Sequence, residues 1–163
     1  MRSSFPKILN DKNHTFVIAE AGSNWKTKDL KTSIVRAKKM IRVAKTSGAD
    51  AIKFQTYSAE KVYVPDAGSS NYLSKSGITK SINQIFEEFS MPHSVLSELK
   101  NYCQKQKIQF MSTPFSVSDA KAVNKFVKIH KVASYEINHL SLLKFLAKTN
   151  KPIIVSTGAA THK

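Results

Sequence analysis

Residues 48–57 read Gly-Ala-Asp-Ala-Ile-Lys-Phe-Gln-Thr-Tyr, and their interpretation decides the fold. From Ala51 onward the stretch is a short, largely apolar run, the pattern of a strand buried on both faces. Gly48 stands just ahead of it as the C-cap of a helix on which Ile34, Ala37, Ile41 and Ala44 recur at i, i+3, i+7 and i+10. An amphipathic helix, a glycine and a buried strand in that order make one unit of an α/β protein.

Working outward, the unit recurs. Apolar runs at 15–21, 108–115, 129–135 and 152–158 join 51–57 as five predicted strands. Pro92 suits a first helical turn, with Leu96, Leu99 and Cys103 following at i, i+3 and i+7. Ser118 is suited to cap a helix carrying Ala122, Val123 and Phe126, and Leu142, Leu143 and Leu146 mark another before Pro152. Strands alternating with helices imply a parallel sheet covered by helices, which a flavodoxin-like open sheet and a (β/α)8 barrel both provide. No GxGxxG or GxxxxGK[ST] follows the first strand, which counts against dinucleotide and P-loop proteins. Polar residues end strand after strand, as the C-terminal face of a TIM barrel requires. The expectation is an α/β chain of (β/α)8 TIM-barrel type with about the first five βα units in residues 1–163. A complete barrel takes about 250 residues, so the stretch reads as the N-terminal part of a longer domain. A turn-rich insertion at 58–89, holding Pro65-Asp66-Ala67-Gly68, interrupts the rhythm.

Lys and Arg total 26 against 11 Asp and Glu, for a formal charge of +15. Nucleic acid is nevertheless a poor match. Only Arg2, Arg36 and Arg42 are arginines, the lysines are spread along the chain, and no nucleic-acid-binding motif occurs. Most lysines read as solvated helix faces. No run approaches the ~18 apolar residues of a membrane span. Cys103 is the only cysteine; it fits a reducing, cytoplasmic setting and, at helical spacing with Leu96 and Leu99, a place in the core.

At the strand ends the polar residues are Glu20; Lys53 and Gln55; Ser112 and Thr113; Lys131, Ser134 and Glu136; and Ser156-Thr157-Gly158. A lysine inside an apolar strand needs a partner or an anionic ligand. Two such lysines, hydroxyls and a glycine turn that bares backbone N–H groups are the parts of a phosphate site. Glu20 and Glu136 add carboxylates usable for proton transfer. Mutual pairing of these charges as a satisfied polar layer is the alternative.

The blocks IAEAGSNW (18–25), GADAIKFQTY (48–57), FMSTPFS (110–116), HKVASYEINH (130–139) and KPIIVSTGAA (151–160) resemble, in order and spacing, those of the sialic acid synthase (N-acetylneuraminate synthase) family. The resemblance implies condensation of phosphoenolpyruvate with N-acetylmannosamine or a related N-acetylhexosamine, helped by a divalent metal (Mn2+ or Mg2+). It implies Glu20 as the catalytic glutamate. Lys53, Lys131, Ser134, Ser156 and Gly158 would clamp phosphoenolpyruvate, with Gln55 facing the sugar and Thr113 and Glu136 lining the pocket. It also implies a homodimer, metal ligands beyond Lys163, an antifreeze-like C-terminal domain outside this chain, and little turnover by residues 1–163 alone. His139 and His162 are the remaining histidines that a metal reading would call on. Sister synthases for legionaminic or pseudaminic acid, or for a 6-phosphosugar, are alternatives, as is a non-catalytic barrel fragment that binds an anion or a partner.

Overall fold

The computed structural model describes residues 12–62, 68, 80–158 and 160–161. Its elements run β1 (Ile18–Gly22), α1 (Leu30–Thr46), β2 (Ala51–Thr56), α2 (Ala59–Val62), α3 (Ile82–Phe89), α4 (His93–Lys105), β3 (Gln109–Pro114), α5 (Val117–Asn124), β4 (His130–Val132), a 3-10 turn (Ser134–Glu136), α6 (Leu140–Ala147) and β5 (Ile153–Val155). All strand pairs are parallel: β1-β2-β3 form one ladder and β4-β5 a second. Within the first ladder spatial order equals chain order, with β2 in the middle. A flavodoxin-like sheet would place β1 between its neighbours. The winding is therefore the one a barrel uses, and β4 lies directly beside β3 without a hydrogen-bonded ladder between them.

Alternate residues of each strand go to different layers. Ile52, Phe54 and Phe110 face the helices and pack with Trp25, Ile41, Leu96, Leu99 and Cys103. Ala51, Met111 and Ile129, with Ile18 and Ile154, form a separate inner layer that draws on both ladders. Each large apolar side chain so buried contributes about 1.5–3 kcal/mol. Cys103 is fully buried, and desolvation pushes its thiol up to about 12, as a core position implies.

Several local expectations are corrected. Ser116, not Ser118, caps α5: its hydroxyl accepts from Asp119 N, while Ser118 only hydrogen-bonds Ser116. Pro92 occupies the N-cap of α4, one residue before the first turn. The fourth strand stops at Val132 rather than running to 135, so Ser134 and Glu136 sit on the 3-10 turn beyond it. The 58–89 excursion contains α2 and α3, the latter closed by a reciprocal Ser81–Gln84 capping box. The Pro65-Asp66-Ala67 turn and His162 lie outside the described residues.

Candidate functional site

Strand register brings the polar residues together. Glu20 is level with Lys53 across β1–β2, and Gln55 is level with Thr113 across β2–β3. A bulge between Glu20 and Gly22 breaks the first ladder just past the glutamate. Gly22 takes φ +54 there, and a Cβ on it would stand 3.5 Å from Glu20 Oε1 and 3.8 Å from Gln55 Nε2. A Cβ there would make only ordinary contacts, so it is the left-handed backbone that glycine suits at this point.

Lys53 is buried and forms an ion pair with Glu20 Oε2, and its Nζ donates to Thr113 Oγ1 at 3.4 Å. Glu20 is half-exposed, and its other oxygen, Oε1, lies on the Gly22 side. Lys131, on β4, donates to Ser156 Oγ at 2.6 Å and to the Val132 carbonyl at 2.7 Å. Burial, and then the neighbouring Lys53 charge, push the Lys131 ammonium below its usual range, with Glu20 acting in the opposite sense. The two lysines are therefore electrostatic neighbours although they belong to different ladders. Glu20 pairs with Lys53 alone and Lys131 contacts only neutral oxygens, an imbalance that a bound anion would correct.

The rim continues beyond the strands. A Cβ on Gly158 would lie 3.8 Å from Ser134 Cβ, so the turns after β4 and β5 come close. Contacts thus join Glu20, Lys53 and Thr113 in one group and Lys131 and Ser156 in another, with Gln55 near Gly22 and Ser134 near Gly158. Glu136 is held separately: its Oε2 pairs with His139 Nδ1 at 2.5 Å, and no contact with Lys53 or Lys131 accompanies that pair. Ser112 turns to the other face of β3, where it shares a 2.7 Å hydroxyl contact with Thr56.

Two features escaped the reading of the sequence. The Val132 carbonyl holds Lys131, and no side-chain pattern signals a backbone acceptor. His130, next to Lys131, is fully buried; desolvation and the Lys151 charge hold it neutral down to about pH 4, with Nε2 3.1 Å from Thr149 Oγ1. Its place inside an apolar run was the available signal.

The described residues do not by themselves assemble a site for a divalent cation. Glu20 is already neutralised by Lys53, two ammonium groups adjoin it, and Glu136–His139 offers one carboxylate with one imidazole. No group of three or more His, Cys, Asp or Glu side chains converges among the described residues.

The profile of the NeuB family matches residues 40–163. The chain belongs to the NeuB family. Among curated relatives, the spore coat polysaccharide biosynthesis protein SpsE of Bacillus subtilis is 37% identical over 155 residues, covering 94% of this chain and 40% of SpsE. An N,N'-diacetyllegionaminic acid synthase of Campylobacter jejuni is 38% identical over 148 residues, covering 90% of this chain and 43% of that protein. Among solved structures, the N-acetylneuraminic acid (sialic acid) synthetase of Leptospira borgpetersenii superposes with a TM-score of 0.72 at 29% identity, over 90% of this chain and 46% of that one. This NeuB-family chain thus spans about two fifths of the length of the curated relatives it matches. Its homologues include sugar-acid synthases, and its parallel α/β fold is theirs. No helix among the described residues is long and apolar enough to cross a membrane.

Proposed function

We propose that the protein carrying this chain condenses phosphoenolpyruvate with an open-chain N-acetylhexosamine, N-acetylmannosamine or a close relative, giving a nonulosonic acid and inorganic phosphate. One observation supports the reading above the others: Lys53, paired with Glu20 and donating to Thr113, and Lys131, donating to Ser156, stand at the strand ends of the two ladders, and Lys131 is partnered only by neutral oxygens. Phosphoenolpyruvate carries the phosphate and carboxylate that this arrangement would neutralise. Thr113, Ser134 and Ser156 offer hydroxyl donors to its oxygens, and the Gly158 turn offers backbone N–H groups.

In this reaction the enol carbon attacks the sugar aldehyde and forms the new C–C bond. Water adds to the resulting oxocarbenium-like carbon, and phosphate leaves with cleavage of its C–O bond. Glu20, half-exposed and paired through one oxygen, is suited to take the proton that the water gives up, which balances the proton taken by the alkoxide left on the former aldehyde carbon. Lys53 and Lys131 hold the phosphoryl group as its charge grows on departure. Gln55, beside Glu20 across Gly22, would face the sugar, while Glu136, held by His139 away from the two lysines, is given no part in the step. The ligands of the divalent metal implied for such chemistry would lie beyond Lys163, so no step is assigned to it.

Relatives named for different sugar acids favour a second reading within the same chemistry, in which the acceptor is that of a legionaminic acid synthase. Phosphate release by the full-length protein, assayed with phosphoenolpyruvate and a panel of N-acetylhexosamines with and without 6-phosphate, tests both readings. One acceptor should give turnover well above the rest. Absence of phosphate release with every acceptor, in the presence of Mn2+ or Mg2+, would overturn the enzymatic reading and favour an anion-binding module.

A further inference from the structure

Away from the rim, at the opposite end of β3 from Thr113, a cavity of about 390 Å³ opens between α4 and the connection from α5 to β4. That volume lies within the range of pockets that enclose small ligands. Lys100 and Gln104 of α4, Lys107 of the following turn, Gln109 of β3, and Phe126 and Lys128 of the next connection line it. No carboxylate is among the lining residues. The contrast with lysines elsewhere is clear, since Lys38 and Lys80 pair with Glu98 and Glu88.

Two independent features mark the place. Gln109 Nε2 is buried and has no hydrogen-bond acceptor among the described residues, an unusual state for an amide donor. Lys107 holds φ +55, the left-handed region, at the turn from α4 into β3. The equivalent turns after α1 and α6 place Gly48 and Asn150 in that conformation, residue types that tolerate it better than lysine. A lysine is thus kept where a glycine would be easier, and its side chain helps to line the cavity.

We propose that this cavity is a second anion site, fitted to a small diphosphate or phosphate ester. Phosphoryl oxygens would supply the acceptor that Gln109 lacks and would meet the ammonium groups of Lys100, Lys107 and Lys128. The Lys100 side chain is already steadied by Gln104 Oε1 at 2.7 Å. The inference does not depend on the reaction proposed for the rim.

Equilibrium dialysis of the full-length protein with inorganic pyrophosphate tests it, using K53M to weaken anion binding at the rim. K53M should still bind pyrophosphate, and adding K107E and K128E should weaken that binding at least about tenfold. The same two reversals in the wild-type background should leave phosphate release with its sugar acceptor unchanged. The neutral pair K107Q and K128Q should fall between, which guards against a misfolded charge-reversal variant. Unchanged pyrophosphate affinity in folded K53M/K107E/K128E, or no pyrophosphate binding by K53M, would overturn the proposal.

Discussion

The β1–β2–β3 ladder and the β4–β5 ladder each deliver one lysine to the rim, and they hold it in opposite ways. In the first, five- and six-residue strands surround Lys53, and a carboxylate from the adjacent strand neutralises it. In the second, three-residue strands carry Lys131, whose partners are a hydroxyl and a carbonyl. Neutral oxygens solvate an ammonium group without cancelling its charge. The first ladder therefore presents a nearly balanced pair, and the second presents the surplus positive charge. The anion proposed above would therefore be drawn first to the second half.

The largest test of that difference is Lys53→Met. In the full-length protein it should reduce phosphoenolpyruvate-dependent phosphate release about a hundredfold or more, the scale expected when a buried charge that holds the developing phosphate charge is removed. Glu20 is half-exposed, so leaving it unpaired should cost little stability. Steady-state kinetics beside a thermal unfolding curve checks both halves. A variant that unfolds while the folded fraction keeps full turnover would show that Lys53 only pairs with Glu20.

A smaller effect separates the ladders by their response to acid. His130 on β4 has a folded-state pKa depressed from about 6.5 to about 4, so the unfolded chain binds the proton first. Stability tied to His130 is present above the unfolded value and is lost as pH falls between the two. At about pH 5 the loss should approach 2 kcal/mol. Asp50, which accepts from Val17 N at 2.8 Å at the entry to β1, is also depressed, but only from the carboxylate range. Its contribution survives until the pH falls below that range. Hydrogen exchange at about pH 5 and at neutral pH should therefore show β4 and β5 amides losing protection while β2 amides keep theirs. Uniform loss across both ladders would mean that they respond as one unit.

The same contrast explains what could be read from the sequence. Lys53 and Lys131 announced themselves because a charge within an apolar run has few physical excuses. Alternation of strand and helix announced the parallel sheets but left the winding open between a flavodoxin-like sheet and a barrel, and the polar strand ends favoured the barrel. The end of β4 was not legible. The Val132 carbonyl accepts from Ser156 N at 3.1 Å and from Lys131 Nζ, and the chain then turns into Ser134–Glu136. That ending depends on partners 24 and 25 residues away or on a side chain folding back, and no local pattern records either. The choice of Ser116 over Ser118 failed for a related reason: two serines two residues apart carry the same capping chemistry, and only backbone conformation separates them.

The smallest effect comes from Lys131 itself. Its ammonium is depressed by burial and by Lys53, so raising the pH discharges it before an ordinary lysine. Anion affinity should accordingly decline on the alkaline side below the usual lysine range, and Lys131→Arg should move that limb upward because a guanidinium stays charged. Lys131→Met should weaken phosphoenolpyruvate binding about tenfold at neutral pH, less than Lys53→Met weakens catalysis, because Ser156 and the backbone donors of the Gly158 turn remain. Direct binding measurements across pH on the wild type and both variants decide the matter. If Lys131→Met kept the wild-type affinity and alkaline limb, the surplus charge would lie elsewhere on the rim. If it lost as much as Lys53→Met, the two ladders would share the anion equally, and the balanced pair at Lys53 would open when the anion arrives.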